Sequence, residues 1–161
     1  MTHVFLQLGS NIEDRLANLD EAIEELKKLD ITIVNESSNY DSEPWGKEDQ
    51  ATFLNKSIEI KTDLEPVELL TTLKSIETKM GRTKTEKFGP RKIDLDILYY
   101  GNQVIDSDHL TLPHPLLRER NFVLTPLDEI ASDFEDPIDS LTIQTLKSIC
   151  PDKKRVWIHQ T

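Results

Sequence analysis

Apolar residues recur along this chain in two rhythms. Positions 4–8 read as a short strand that ends at the turn Gly9-Ser10-Asn11. Ile12, Leu16, Leu19, Ile23, Leu26 and Leu29 then recur at intervals of three and four, which predicts an amphipathic helix over 11–29. Ser10 and Glu13 have the spacing of a capping box at its start. A strand is expected over 31–40, and the polar segment 41–52 reads as a loop. Over 53–62 the alternation of a strand returns, with Leu54, Ile58 and Ile60 on one face and Phe53, Asn55, Ser57 and Glu59 on the other. A second helix starts near Thr62 or Asp63, with Pro66 in its first turn. Its apolar stripe is Val67, Leu70, Leu73, Ile76 or Glu77, and Met80, and Gly81 suits its C-terminal cap.

The segment 81–100 carries the chemistry. Its first part holds five cations (Arg82, Lys84, Lys87, Arg91, Lys92) against one anion, Glu86. Its second part alternates as a strand, with Ile93, Leu95, Ile97 and Tyr99 on the core face. Asp94 and Asp96 fall on the opposite face, roughly 7 Å apart along the strand. Two carboxylates so placed repel unless a cation lies between them. All-oxygen ligands of this kind favour Mg²⁺, which commonly bridges to phosphate. A basic loop running into that pair adds charge for a polyphosphate, so the conjunction points to a Mg²⁺-nucleotide site.

Beyond it, Val104 and Ile105 suggest a short return strand, Pro113 and Pro115 break the chain around His114, and Pro126 interrupts a helix over 121–131. A helix over 141–149 and a strand over 155–159 close the sequence. The order strand, helix, strand, strand, helix, strand predicts an α+β fold: a ferredoxin-like βαββαβ core with an antiparallel sheet, both helices on one face, and a C-terminal extension.

Composition narrows the class. At 161 residues, 37% hydrophobic and 30% charged, the chain is expected to form one globular domain over 1–161. Its formal net charge of −11 argues against a nucleic-acid binder, and no apolar run suits a membrane span. The N-terminus has no secretory signal, and a single cysteine, Cys150, fits a cytoplasmic protein. A monomer is expected.

From the residues alone several readings stay open. A D-x-D pair by itself is as often a solvated strand face. With the basic loop it also suits a nucleotidyl or glycosyl transferase, and a fold of this plan also suits a regulatory ligand-binding module. Phe53 beside Asn55 is material for stacking a flat heterocycle and reading its edge, although alone it reads as a solvated face. Trp45 alone reads as surface packing.

The string G-P-R-x-x-D-L-D-I-L, from Gly89 to Leu98, resembles the signature of the 6-hydroxymethyl-7,8-dihydropterin pyrophosphokinases of folate biosynthesis. Further segments are similar to that family in the same order. They are LQLGSN at the start, SNYDSEPWG over 38–46, Phe53-Leu54-Asn55, Leu112-Pro113-His114 and Arg120-Asn121-Phe122. The resemblance covers nearly the whole chain and weakens after about Ala131. It implies transfer of the β,γ-diphosphate of ATP to the hydroxymethyl group of 6-hydroxymethyl-7,8-dihydropterin, with release of AMP.

Residue by residue, the resemblance implies that Asp94 and Asp96 hold two Mg²⁺ ions and that Arg82 and Arg91 act with them as catalytic residues. It implies a pterin site of Ser42, Glu43, Trp45, Phe53, Asn55 and Phe122, with the two phenylalanines as a sandwich. It implies an ATP site of Glu77, Arg82, Lys84, Phe88, Arg91, Ile97, His109, Thr111, His114 and Arg120. Three of these depart from the family's usual residues. Lys84 stands for arginine, Phe88 for tryptophan and His109 for the arginine of some relatives, which implies altered ATP affinity. The basic loop between Gly81 and Gly89-Pro90 is expected to act as a lid.

Overall fold

A computed structural model describes residues 2–44, 51–81 and 92–160. The first strand, β1, runs Thr2–Ser10, and helix α1 runs Arg15–Lys27. Strands β2 (Ile31–Glu36), β3 (Tyr40–Ser42) and β4 (Phe53–Thr62) precede helix α2 (Pro66–Lys79) and strand β5 (Asp94–Tyr100). A small hairpin of β6 (Ile105–Asp106) and β7 (Thr111–Leu112) follows. The chain then forms a 3-10 turn at Leu117–Glu119, helices α3 (Asn121–Ala131) and α4 (Ile143–Ser148), and a last strand, β8 (Val156–Ile158).

The main sheet is antiparallel throughout, in the order β5-β1-β4, with β2 and β3 both on the far side of β4 and β8 beyond β3. Together β2 and β3 fill one strand's place, so this is the expected ferredoxin-like core, extended by β8. The strand expected over 31–40 is interrupted for a physical reason. Ser37 Oγ accepts from the Ser57 backbone N at 2.9 Å, taking over a ladder position. The Ser38 N–H turns away to the Glu129 carboxylate on α3.

Helix α1 starts later than the pattern of apolar residues predicts. Ser10 belongs to β1, Glu13 takes a left-handed φ of 59°, and Asp14 is the N-cap, its Oδ1 accepting from Ala17 N at 3.1 Å. The expected capping box at Ser10 and Glu13 is therefore absent. The capping box forms instead at α2, between Glu65 and Glu68. At the other end of α2, Gly81 has φ 88°, the conformation that a glycine stop provides. The buried stripe of α2 includes Leu69, Leu73, Ile76, Glu77 and the cap Met80, whereas Val67 is exposed.

Hydrophobic packing occupies both faces of the sheet. Leu6, Leu8, Leu54, Ile58 and Ile60 pack with Leu19, Ile23 and Leu26 of α1 and with Leu69, Leu73 and Ile76 of α2. On the opposite face Phe5, Leu98 and Tyr99 pack with Val123, Leu124 and Leu127 of α3 and with Ile143 and Leu146 of α4. A β-bulge separates the two on β5: Leu6 pairs with Ile97, but Phe5 pairs with Tyr99. The extra residue flips the alternation. Tyr99, expected beside Ile97, lies in the second core, and Tyr100 takes its place in the first. Among the described residues no helix is long and apolar enough to cross a membrane.

Candidate active site

The register of the sheet lays polar residues out in rows on the α3 face. Tyr40 pairs with Asn55, Asn55 with Gly9, and Gly9 with Asp94, which forms one row across four strands. The next row is Ser57, Gln7 and Asp96, and Ser42 pairs with Phe53 on the other side. Paired residues share a face, so Ser42, Phe53 and Asn55 lie on the same side of the sheet as both aspartates. With strands about 4.8 Å apart, Asn55 and Asp94 are about 10 Å from each other across Gly9. Gly9 has no side chain to fill that gap. A Cβ there would stand 3.7 Å from Asn55 Oδ1 and 3.8 Å from Phe53 Cδ1.

Asn55 is buried and its amide is fixed: Nδ2 donates to Ser42 Oγ at 2.8 Å and to the Tyr40 carbonyl at 3.2 Å. Glu43, the next residue of this group, turns its carboxylate to the Arg155 backbone N at 2.6 Å. Both ends of the 43–52 connection are anchored by Arg15. Its Nη1 donates to Asp41 Oδ1 at 2.7 Å and to Thr52 Oγ1 at 2.9 Å. His159 Nδ1 lies 2.6 Å from Asp41 Oδ2 on the other side. Burial alone would raise the Asp41 pKa, but His159 and Arg15 hold it below the usual carboxylate range.

Above the sheet, Arg120 caps the start of α3, with its guanidinium 5.5 Å from the centre of the Phe122 ring. Burial pulls the Arg120 pKa down, while Asp96 and Asp94 push it back up. That opposition places one guanidinium in the field of both carboxylates. Phe122 lies in the first turn of α3 and Phe53 opens β4, so two rings from different layers belong to this region.

A cavity of about 300 Å³ opens along the outer edge of β5. Glu77, Ile97, His109, Thr111 and His114 line it together with Asp94 and Asp96. Glu77 is buried, and its Oε2 accepts from the Leu95 backbone N at 2.8 Å, on the side of β5 where no strand pairs with it among the described residues. His114 Nδ1 accepts from Leu116 N at 3.1 Å, which leaves Nε2 as the protonated nitrogen. Burial, and secondarily Arg120, push the His114 pKa down to about 4, so the ring is neutral near pH 7.

The fold thus gathers eleven of the residues singled out in the sequence on or beside β5, β4 and α3, with Ser42 and Glu43 on the β3 side. Trp45, Arg82, Lys84, Phe88 and Arg91, and with them the expected lid, lie outside the described residues. Sequence reading missed Gln7, a buried amide between Asp96 and Ser57. Its signal was a lone polar residue inside an apolar strand. Sequence reading also missed the anchor formed by Arg15, Asp41 and His159, because those residues meet only through the fold.

Two carboxylates, a guanidinium within their field, a neutral histidine donor and an adjoining polar cavity suit a metal-assisted reaction of a polyphosphate. Comparison with known proteins agrees with this chemistry. The family model for 7,8-dihydro-6-hydroxymethylpterin-pyrophosphokinase (HPPK) matches residues 5–132. The 2-amino-4-hydroxy-6-hydroxymethyldihydropteridine pyrophosphokinase of Bacillus subtilis is 46% identical over 132 residues, covering 81% of this chain and 79% of the relative. The enzyme of the same name from Aquifex aeolicus is 41% identical, covering 93% of this chain and 97% of its own. Among solved structures, the Plasmodium falciparum HPPK-DHPS wild type with SDX-DHP shares the fold at a TM-score of 0.68 and 15% identity. The match covers 92% of this chain but 43% of that longer one. With a family match over most of its length and relatives this similar, the chain belongs to the 7,8-dihydro-6-hydroxymethylpterin-pyrophosphokinase family, the diphosphotransferases of folate synthesis.

Proposed function

We propose that this chain transfers the β,γ-diphosphate of ATP to the hydroxymethyl oxygen of 6-hydroxymethyl-7,8-dihydropterin. The pterin alcohol forms a new bond to the β-phosphorus as the bond from that phosphorus to the α-phosphate oxygen breaks, and AMP leaves. The observation that carries this reading is the shared face. Phe53, Asn55 and Ser42 lie on the same side of the sheet as Asp94 and Asp96, one glycine away. A flat heterocycle held at the first group therefore presents its substituent toward the second.

In this reading Phe53 and Phe122 stack the two faces of the pterin, a geometry that favours a planar polar ring. Asn55 and Ser42 meet its edge, and their mutual hydrogen bond keeps both in place before the substrate arrives. Glu43 and Trp45 complete that side. Asp94 and Asp96 are the residues that would hold Mg²⁺, two ions in our reading; paired hard oxygens fit that cation, and Arg120 nearby suits the phosphate that would accompany it. Bound there, Mg²⁺ offsets the charge of the triphosphate and lowers the pKa of the attacking hydroxyl.

The triphosphate is oriented by Arg120, with Arg82, Lys84 and Arg91 contributing from the basic segment. Their charge becomes more effective as Phe88 and that segment exclude water. His114 donates through Nε2–H without adding charge. The base and ribose occupy the cavity at the β5 edge, against Ile97, His109, Thr111 and Glu77. In this reading a monomer acting as one domain is the working unit. The single buried Cys150 fits a reducing cytoplasm.

The test is the product. Incubation with Mg-ATP and reduced 6-hydroxymethylpterin should give AMP and the pterin diphosphate. ADP would indicate an ordinary kinase and free pyrophosphate a nucleotidyl transferase, and either would overturn the proposal.

A further inference from the structure

Gln7 is a buried polar residue in the middle of β1, and it lies under the first turn of α3. Its Nε2 donates to the Phe122 carbonyl at 3.0 Å. That carbonyl has a particular need. In a regular α-helix the carbonyl of residue i accepts from the N–H of residue i+4. For Phe122 that residue is Pro126, which lies inside α3 and has no N–H. A carbonyl buried without a donor is costly, and here the sheet supplies one.

The other end of the same side chain shows how firmly this arrangement is imposed. Gln7 Oε1 is buried without a hydrogen-bond partner among the described residues. Turning the amide over would set Oε1 against the Phe122 carbonyl, acceptor to acceptor. The side chain therefore satisfies the helix and leaves its own acceptor unused.

We propose that Gln7 is a positioning residue. It replaces the helix bond that Pro126 deletes, and so fixes the Phe122 ring over the strand face that carries Asp96 and Asn55. Gln7 itself pairs with Asp96 and Ser57 across the neighbouring strands, so the contact ties α3 directly to the floor of the site. Arg120 caps the same turn and is held with it. The inference rests on the pterin reading of Phe122, but the contact can be tested without it.

The experiment is a cycle of Gln7→Met, Pro126→Ala and the double variant. Gln7→Met keeps the length of the side chain and removes the donor. It should raise the KM for the pterin about fivefold or more, with the KM for ATP and kcat within about twofold of the parent. Adding Pro126→Ala returns an N–H to the helix and should bring the pterin KM back to within about twofold. An unchanged pterin KM in Gln7→Met overturns the proposal, as does a raised KM that Pro126→Ala leaves raised. Gln7→Leu, which also removes the donor and adds no charge, gives the same comparison if the methionine variant does not fold. Thermal unfolding reads the contact without catalysis. Gln7→Met should lower Tm less in the Pro126→Ala background than in the parent, and equal losses overturn the contact. If the parent makes no AMP, the functional reading fails while this coupling is still measured.

Discussion

The Glu77 carboxylate accepts from the backbone N–H of Leu95, the residue between Asp94 and Asp96, at 2.8 Å. Among the described residues β5 is the edge strand of the sheet, and this N–H is met by a side chain instead of a strand. A buried acid on α2 thus holds the short stretch of backbone that carries both aspartates. Glu77→Ala should cost about 1–3 kcal/mol of stability and lower kcat/KM about tenfold or more. Glu77→Gln keeps an acceptor and should lose less. Chemical denaturation and steady-state kinetics on the two variants decide this, and equal activity losses would show that the hydrogen bond is not what matters.

Asp94→Asn and Asp96→Asn remove charge from two partly exposed side chains without opening a cavity in either core. Each should lower turnover about 100-fold or more, roughly 2.7 kcal/mol of barrier, with little change in Tm. Calorimetry of Mg²⁺ with an ATP analogue should show weakened metal binding. A drop below about tenfold would be too small for a metal ligand.

Phe53→Ala removes one wall of the proposed sandwich while its partner on α3 stays in place. Pterin affinity should fall about tenfold or more, and ATP affinity should change little. Direct titration with the pterin, in the presence of an ATP analogue, reads this.

The His114 ring is neutral in the fold down to about pH 4, pushed there chiefly by burial. An unfolded histidine takes up its proton near pH 6.5. Between those values the unfolded state binds more protons, so this group makes the fold less stable as pH falls from 6.5 toward 4 and has little effect above. His114→Gln should flatten that part of the stability profile, measured as Tm against pH. Nucleotide affinity in the parent should show no step from this group between pH 6 and 8.

Periodicity in the sequence placed β4 and α3 closely, whereas α2 begins at Pro66, later than the expected Thr62 or Asp63, and leaves Val67 of the expected stripe exposed. Pro66 and Gly81 marked the ends of α2 for local backbone reasons that need no partner. The D-x-D spacing fixed Asp94 and Asp96 on one face, since strand alternation is local and the bulge of β5 falls beyond them. Elsewhere long-range contacts decided. The bulge that sends Tyr99 to the second core arises from register against Phe5 and Leu6. The start of α1 depends on the left-handed turn at Glu13 and on the Asp14 cap, and apolar spacing does not report either. The break at 37–39 depends on Ser57 and Glu129, far along the chain.

The sequence by itself therefore determined the chemistry present: two acids on one strand face, a basic segment beside them, aromatics and an amide on another strand. Only the tertiary structure decided that β4 and β5 flank β1, so that Phe53, Asn55, Asp94 and Asp96 share one floor with Gly9 between them. Only it brought the Gln7 amide beneath the carbonyl that Pro126 leaves without a helical donor. The physical reason is the same in both cases. Alternation and capping are properties of neighbouring residues, whereas strand order and the satisfaction of a buried polar atom are settled by segments that meet only when the chain is folded.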